Sequence, residues 1–323
     1  MRLITLEEHF ATPAFFDGPA RFVKERAEKI SDRYLAVVER LRDVDAKRIS
    51  EMDAAGIDMQ ILSLSAPGVE QMEQADAVAM ARDTNDYLAD AVKKHPKRFA
   101  GFAAVPTGAP KQAVEELERR VKAGFKGAVI NGHNRGRYLD DKFYWPILEC
   151  AEALNAPIHL HPTPPPQAVI DVSYGGFSPM VTDMLAGGAW GWHIETAVHI
   201  IRMVCGGVFD RFPKLQFVIG HMGEGLPFFF QRLDIIPVAT TKLKHPISHY
   251  LKNNVHYTFS GMNYPGVFQN LLIELGGVDR IMFSADYPYQ SMPWARSFLD
   301  QIPVSAADKE RIAHGNAERL FGL

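Results

Sequence analysis

Eight short apolar runs, spread through the whole chain and separated by helical patterns, constrain this sequence more than any other feature. They fall at 3–6, 58–64, 99–105, 127–131, 157–160, 215–220, 255–259 and 280–285. Runs that stay apolar, instead of alternating with polar residues, suit strands covered on both faces, as in a parallel sheet. Between them, Val114, Leu117 and Val121 recur at i, i+3 and i+7, with Gly124 as a stop. Ile194, Ala197, Val198, Ile201 and Cys205 trace one face of another helix, and segments 43–55 and 74–94 read similarly. Strand alternating with helix predicts βαβ units and one α/β domain over 1–323. Eight strands make a closed (β/α)8 TIM barrel the leading architecture, ahead of an open doubly wound sheet.

Two stretches break the compact rhythm. Segment 10–32 follows the first strand with Pro13, Pro19 and several aromatics, and 162–192 follows the fifth with PTPPP, two Gly-Gly pairs, Trp190 and Trp192. Loops this long are usually functional, and their aromatic content argues against disorder. On a barrel both would lie at the C-terminal rim, as a lid or pocket wall.

Composition mainly excludes. With 35 Lys+Arg against 38 Asp+Glu, the formal charge of −3 is too balanced for a protein that coats nucleic acid or an anionic membrane. Cys150 and Cys205 could form at most one bridge, which fits a reducing compartment, and Cys205 on the apolar helix face reads as core filler. The start, MRLITLEEHF, lacks a signal-peptide core, and no run of about 18 apolar residues occurs. The expectation is a cytoplasmic protein. Twelve histidines against two cysteines direct any transition-metal site to imidazole and carboxylate donors.

Such donors stand where the strands end. Glu7 and His9 follow the first run, His161 the fifth, His221 the sixth and Asp286 the eighth. A barrel brings all these ends to one mouth. Glu7 and His9, two apart on an extended segment, would point the same way. Two imidazoles and two carboxylates suit Zn²⁺, Mn²⁺ or Fe²⁺. Against this stand blander readings: His9 as a surface histidine, His221 as a helix cap, Asp286 as an N-cap before Tyr287.

The segments LEEHF, SLSAPGV, VING, HLHP, FDRFPKLQFVIGHMGEGLP, FSADYP and GNAERLFGL occur in an order that resembles the amidohydrolase superfamily. Within it the chain is similar to the non-hydrolytic branch of aromatic-acid decarboxylases related to aminocarboxymuconate-semialdehyde decarboxylase. The nearest likeness is to the γ-resorcylate (2,6-dihydroxybenzoate) decarboxylases and their relatives acting on 2,3-dihydroxybenzoate, salicylate and 5-carboxyvanillate. The resemblance spans essentially the whole chain. It implies Glu7, His9, His161 and Asp286 as metal ligands, His221 beside the metal, and Glu224 as the group that steadies His221. It also implies Arg232 near the substrate carboxylate, Phe22 as a pocket aromatic, and a homodimer or homotetramer.

Several neighbours invite plainer readings. His159, in IHLH, reads as a core or supporting histidine, and His133, in NGH, as a loop histidine near the mouth. Glu195 and His199, four apart, read as a solvated polar face, while His193 could reach the rim.

Hydrolases of this superfamily commonly open with His-x-His, and binuclear members add a bridging lysine after the fourth strand. Here the opening is Glu7-x-His9 and the fourth strand ends in Asn131, so one ion, Zn²⁺ or Mn²⁺, is expected. Two carboxylates balance a divalent cation, and a neutral site acidifies a bound water less. That favours gripping a substrate over making hydroxide. The reading is a metal-dependent, non-oxidative decarboxylase of an ortho-hydroxybenzoate, with Asp286 protonating the ring carbon before CO₂ leaves. The alternative is a mononuclear hydrolase of a lactone or amide. HLHPTPPP departs from the γ-resorcylate pattern, so the choice among hydroxybenzoates stays open.

Overall fold

The computed structural model describes residues 1–21 and 32–323. Nine strands run in chain order: β1 (Ile4–Phe10), β2 (Met59–Leu64), β3 (Phe99–Gly101), β4 (Ala103–Ala104), β5 (Ala128–Asn131), β6 (Ile158–His161), β7 (Phe217–Ile219), β8 (Val255–Thr258) and β9 (Ile281–Met282). Every ladder is parallel, and each strand pairs with its sequence neighbours in two runs, β1-β2-β3 and β4 through β9. The strands are buried along their whole length, as their unbroken apolar runs require. The chain is a (β/α)8 TIM barrel whose third strand is cut in two.

Phe102 makes that cut. Its N–H donates to Leu62 O at 2.9 Å, while Ala103 N–H turns to Gly127 O at 2.9 Å, so this residue hands the ladder from β2 to β5. The predicted single run 99–105 is therefore β3 and β4, the two halves of one barrel strand. At the opposite seam, between β1 and β9, no ladder forms among the described residues. His9 N–H donates to Tyr287 O at 2.7 Å, and the Glu8 carboxylate accepts Ala285 N–H at 2.8 Å and Tyr287 N–H at 3.2 Å. A side chain there replaces strand pairing.

Local sequence sets the helix ends. Thr12 Oγ1 accepts Phe15 N–H at 3.1 Å and starts Pro13–Asp17. Gly56, at φ 69°, ends Ala46–Ala55 in the left-handed region that glycine enters without strain.

Four expectations need correction. The first strand extends beyond 3–6 to include Glu7, Glu8 and His9, because all three are buried and the run stays extended although its chemistry turns polar. The segments read as long loops carry helices: Pro13–Asp17 in the first, and Gln167–Ser173 and Pro179–Ala186 in the second. Those two rim helices bury almost nothing; Val172, Phe177, Met180 and Met184 are exposed. Helix Gly191–Cys205 turns a different face inward than predicted, burying His193, Glu195, Thr196, His199, Ile200 and Met203 and leaving Val198 and Cys205 exposed.

A cleft of about 450 Å³ lined by Pro157, Leu215, Gln216, His256 and Arg280 opens at the N-terminal ends of the strands and contains none of the candidate residues. No helix among the described residues is long and apolar enough to cross a membrane.

Candidate active site

The candidate residues gather at the C-terminal ends of the strands, and the first pair arrives there by a bulge. The register of β1 against β2 shifts between Leu6 and Glu8, leaving Glu7 as the extra residue at φ 64°. Plain alternation was expected to aim Glu7 and His9 together; the bulge does so instead. Glu7 is fully buried beneath the mouth. Its Oε2 accepts the Thr258 hydroxyl at 2.9 Å and the Ser260 hydroxyl, which in turn contacts Ser284 Oγ at 2.9 Å. Its Oε1 has no hydrogen-bond partner and lies 3.9 Å from His161 Nε2 and 3.7 Å from His221 Nδ1.

His9 and His161 face each other across the mouth, with ring centroids 4.7 Å apart. Ser63 Oγ lies 3.5 Å from His9 Nδ1, which leaves His9 Nε2 unpartnered and 3.3 Å from Asp286 Oδ1. Asp286, four residues past β9, is buried at φ 64°. Buried polar atoms without partners are uncommon in folded proteins. Glu7 Oε1 lies 3.9 Å from His161 Nε2, and His9 Nε2 lies 3.3 Å from Asp286 Oδ1; two carboxylates and two imidazoles are donors of the type that suits a divalent ion.

Electrostatics agree with that fit. Burial lowers His9 to about 3 and puts His161 well below its ordinary value, so both imidazoles are neutral, as ligation demands. Burial raises Glu7, but the imidazoles of His221, His159 and His161 outweigh it and hold the carboxyl well below its usual range. Burial raises Asp286 well above the carboxylate range, with His221 opposing and Glu7 assisting.

A second cluster adjoins the first. His221 opens the turn after β7, where His221, Met222 and Glu224 all have φ between 48° and 56°. Gly220 is required by space: a Cβ there would stand 2.3 and 2.4 Å from the two Glu7 carboxylate oxygens. Glu224 bridges two imidazoles, its Oε1 2.8 Å from His221 Nδ1 and its Oε2 2.5 Å from His193 Nδ1. Burial lowers His221, but the carboxylates of Glu224 and Glu7 raise it to about 10. Burial raises Glu224, and the His221 and His193 imidazoles bring it down to about 2. His193, His221 and Glu224 are close enough to chelate a metal on distance alone. Both Glu224 oxygens are already committed to hydrogen bonds, however, so this trio is a charged relay. In the neighbouring set Glu7 Oε1 and His9 Nε2 stay free.

Other sequence candidates separate here. His159 is buried below the cluster, its Nε2 3.5 Å from Glu7 Oε2, in a supporting place. His133 braces a loop, accepting Gly136 N–H at 3.0 Å and lying 3.2 Å from Pro164 O. Glu195 and His199 are not solvated: Tyr138 OH donates to Glu195 at 2.5 Å, and Leu139 N–H donates to His199 at 3.0 Å. They pin the segment after β5 onto helix Gly191–Cys205. Arg232 is exposed on helix Leu226–Leu233, outside the buried cluster. Phe22 lies outside the described residues.

Sequence reasoning took His193 no further than the rim, and it missed the Thr258–Ser260–Ser284 hydroxyls under Glu7, and Tyr289. The Tyr289 ring meets His9 at 5.5 Å and its hydroxyl meets Ser65 at 2.6 Å. Hydroxyl residues at the ends of β8 and β9 were the available signal.

The Amidohydrolase family matches residues 15–323. The γ-resorcylate decarboxylase of Polaromonas sp. is 37% identical over 333 residues, covering 99% of this chain and 98% of that protein. A 2,6-dihydroxybenzoate decarboxylase solved with 2,6-dihydroxybenzoate superposes with a TM-score of 0.89 at 36% identity, covering all of both chains. The 5-carboxyvanillate decarboxylase of Novosphingobium aromaticivorans was solved with manganese and 4-hydroxy-3-methoxy-5-nitrobenzoic acid. It gives a TM-score of 0.91 at 35% identity, covering 100% of this chain and 96% of that one.

Proposed function

The chain belongs to the amidohydrolase family, and from that premise we propose that it is a metal-dependent decarboxylase of an ortho-hydroxybenzoate of the γ-resorcylate, 2,3-dihydroxybenzoate or salicylate type. The observation that carries this reading is the donor set: Glu7 beside His9, two carboxylates in all, with Glu7 Oε1 and His9 Nε2 left unpartnered. Glu7, His9, His161 and Asp286 are its metal ligands. A divalent ion held there supplies positive charge to the substrate's phenolate and carboxylate oxygens and fixes the ring. Relatives of known structure hold manganese, and zinc accepts the same donors.

The reaction must avoid an aryl carbanion. In this reading Asp286, protonated at the start of the cycle, gives its proton to the carboxyl-bearing ring carbon, which becomes sp³. The electrons of the ring–carboxyl bond return to the ring as CO₂ departs, and solvent reprotonates Asp286. His221, protonated and turned by Glu224, stabilises the anionic oxygens. His193 supports Glu224 from its far side. Arg232 and Phe22 belong to substrate recognition in this reading.

The protein is read as one barrel domain over 1–323, cytoplasmic, and a homodimer or homotetramer. Exposed Phe228, Phe229, Ile235 and Ile236, on and just after helix Leu226–Leu233, offer apolar surface for self-association. The test is CO₂ release from a panel of mono- and dihydroxybenzoates, with metal measured in the same preparation and a lactone panel alongside. CO₂ from at least one ortho-hydroxybenzoate is expected. Lactone hydrolysis without CO₂ would overturn the assignment.

A further inference from the structure

The residue between the two first-strand ligands faces neither the mouth nor solvent. Glu8 is fully buried and points across the seam where β1 and β9 lack a ladder. One carboxylate oxygen accepts Ala285 N–H at 2.8 Å; the other accepts Tyr287 N–H at 3.2 Å and Gln60 Nε2–H at 3.3 Å. These two backbone groups flank Asp286. Asp286 holds φ 64°, a conformation that a non-glycine residue keeps only when its surroundings enforce it, at a cost of about 1–3 kcal/mol. The two attachment points lie on either side of the Asp286 φ and ψ bonds, so Asp286 cannot return to an ordinary conformation without breaking one of them.

The clamp is itself braced. Gln60 Oε1 accepts from Arg48 Nη1 at 3.3 Å, and Arg48, fully buried, also donates to His9 O at 2.5 Å and Asp43 O at 2.8 Å. The same strand that carries Glu7 and His9 thereby fixes the backbone of the acid on the far side of the seam.

We propose that Glu8 is a positioning residue: its carboxyl group clamps the backbone on both sides of Asp286 and so aims the Asp286 carboxyl at the reacting ring carbon. This rests on the reading of Asp286 as the proton donor. A displacement near 1 Å at a reacting group lowers turnover about 10²-fold. Glu8→Gln keeps the shape but sets an amide N–H against a backbone N–H, opening one jaw.

The test compares wild type, E8Q and D286N, each reconstituted with manganese. For E8Q the expected result is a kcat per bound metal reduced about 100-fold. Metal stoichiometry and KM should stay within threefold of wild type. Deuterium uptake at the product's ring carbon in D₂O should fall in step with kcat. A merely structural Glu8 would instead lower thermal stability and metal content while kcat per metal-loaded site held within twofold; that result overturns the proposal. If E8Q yields no folded protein, the near-isosteric Gln60→Met carries the test. A three- to tenfold loss of kcat at unchanged KM supports the clamp, and wild-type kcat refutes it. Should D286N turn over normally, the functional reading itself fails. If D286N is inactive and E8Q is unimpaired, only the role of Glu8 fails.

Discussion

Replacing Glu224 by glutamine would test the relay with a single atom exchanged. Glu224 is 1% exposed and bridges His193 and His221 at 2.5 and 2.8 Å. In the folded protein His221 is raised to about 10 against burial, with Glu224 the largest contributor on the raising side. Against an ordinary imidazole near 6.5, the facing carboxylates strongly favour the imidazolium in the folded protein. Glutamine removes the facing charge while burial still disfavours a cation, so His221 should fall to neutral pH or below. The loss should be about 3–5 kcal/mol, the range for leaving one member of a buried ion pair alone. A raised histidine contributes stability that is complete below about 6.5 and disappears as pH rises through 10. Glu224, brought down to about 2, loses its share as pH falls below about 4.5, so E224Q should be destabilised most between about pH 4.5 and 6.5, and its stability should no longer decline between pH 7 and 10. Decarboxylation should slow by about 10²–10⁴-fold, with the alkaline limb of the rate profile moved from near 10 toward neutrality. Rate profiles over pH 6–10, paired with denaturant melts, measure both. An E224Q profile superimposable on wild type would refute the relay.

Three further outcomes follow from the site's geometry. Gly220→Ala places a methyl group 2.3 Å from Glu7 Oε1 at an unstrained φ of −82°, so it should abolish metal retention, read by elemental analysis, while far-UV circular dichroism is preserved. Chelation should lower Tm by roughly 4 °C if the ion stood at about a hundredfold above its Kd, and added Mn²⁺ should restore it; equal melting of the two forms would contradict a native-state ion. Product formed in D₂O should carry deuterium at the vacated ring carbon by NMR, and protium there would rule out ring protonation from a solvent-exchanging acid.

Fold and site were legible to different depths. Runs such as 127–131 and 255–259 announce strands because a doubly covered strand must be apolar throughout. The end of β1 did not announce itself, since Glu7, Glu8 and His9 are buried by contacts with β8, the residues just past it and the segment after β9, up to 279 residues away in sequence. Periodicity also misjudged helix Gly191–Cys205. It favoured the face bearing Val198 and Cys205, whereas Tyr138 and Leu139 cover Glu195 and His199 and draw the polar face inward. The tie between His193 and Glu224 was hidden for the same reason: the two are 31 residues apart, and Glu224 lies in a turn whose left-handed residues no local propensity specifies.

The rim helices Gln167–Ser173 and Pro179–Ala186 have an evolutionary meaning. The first buries no residue and the second only Ala186. Substitutions on such a surface usually change stability by less than about 0.5 kcal/mol, whereas an exchange at Glu7 or Asp286 unbalances a buried cluster. Mutation can therefore explore new surfaces on the segment that follows β6 without risking collapse of the barrel. A lineage built this way can change which aromatic acid it admits while inheriting its chemistry intact.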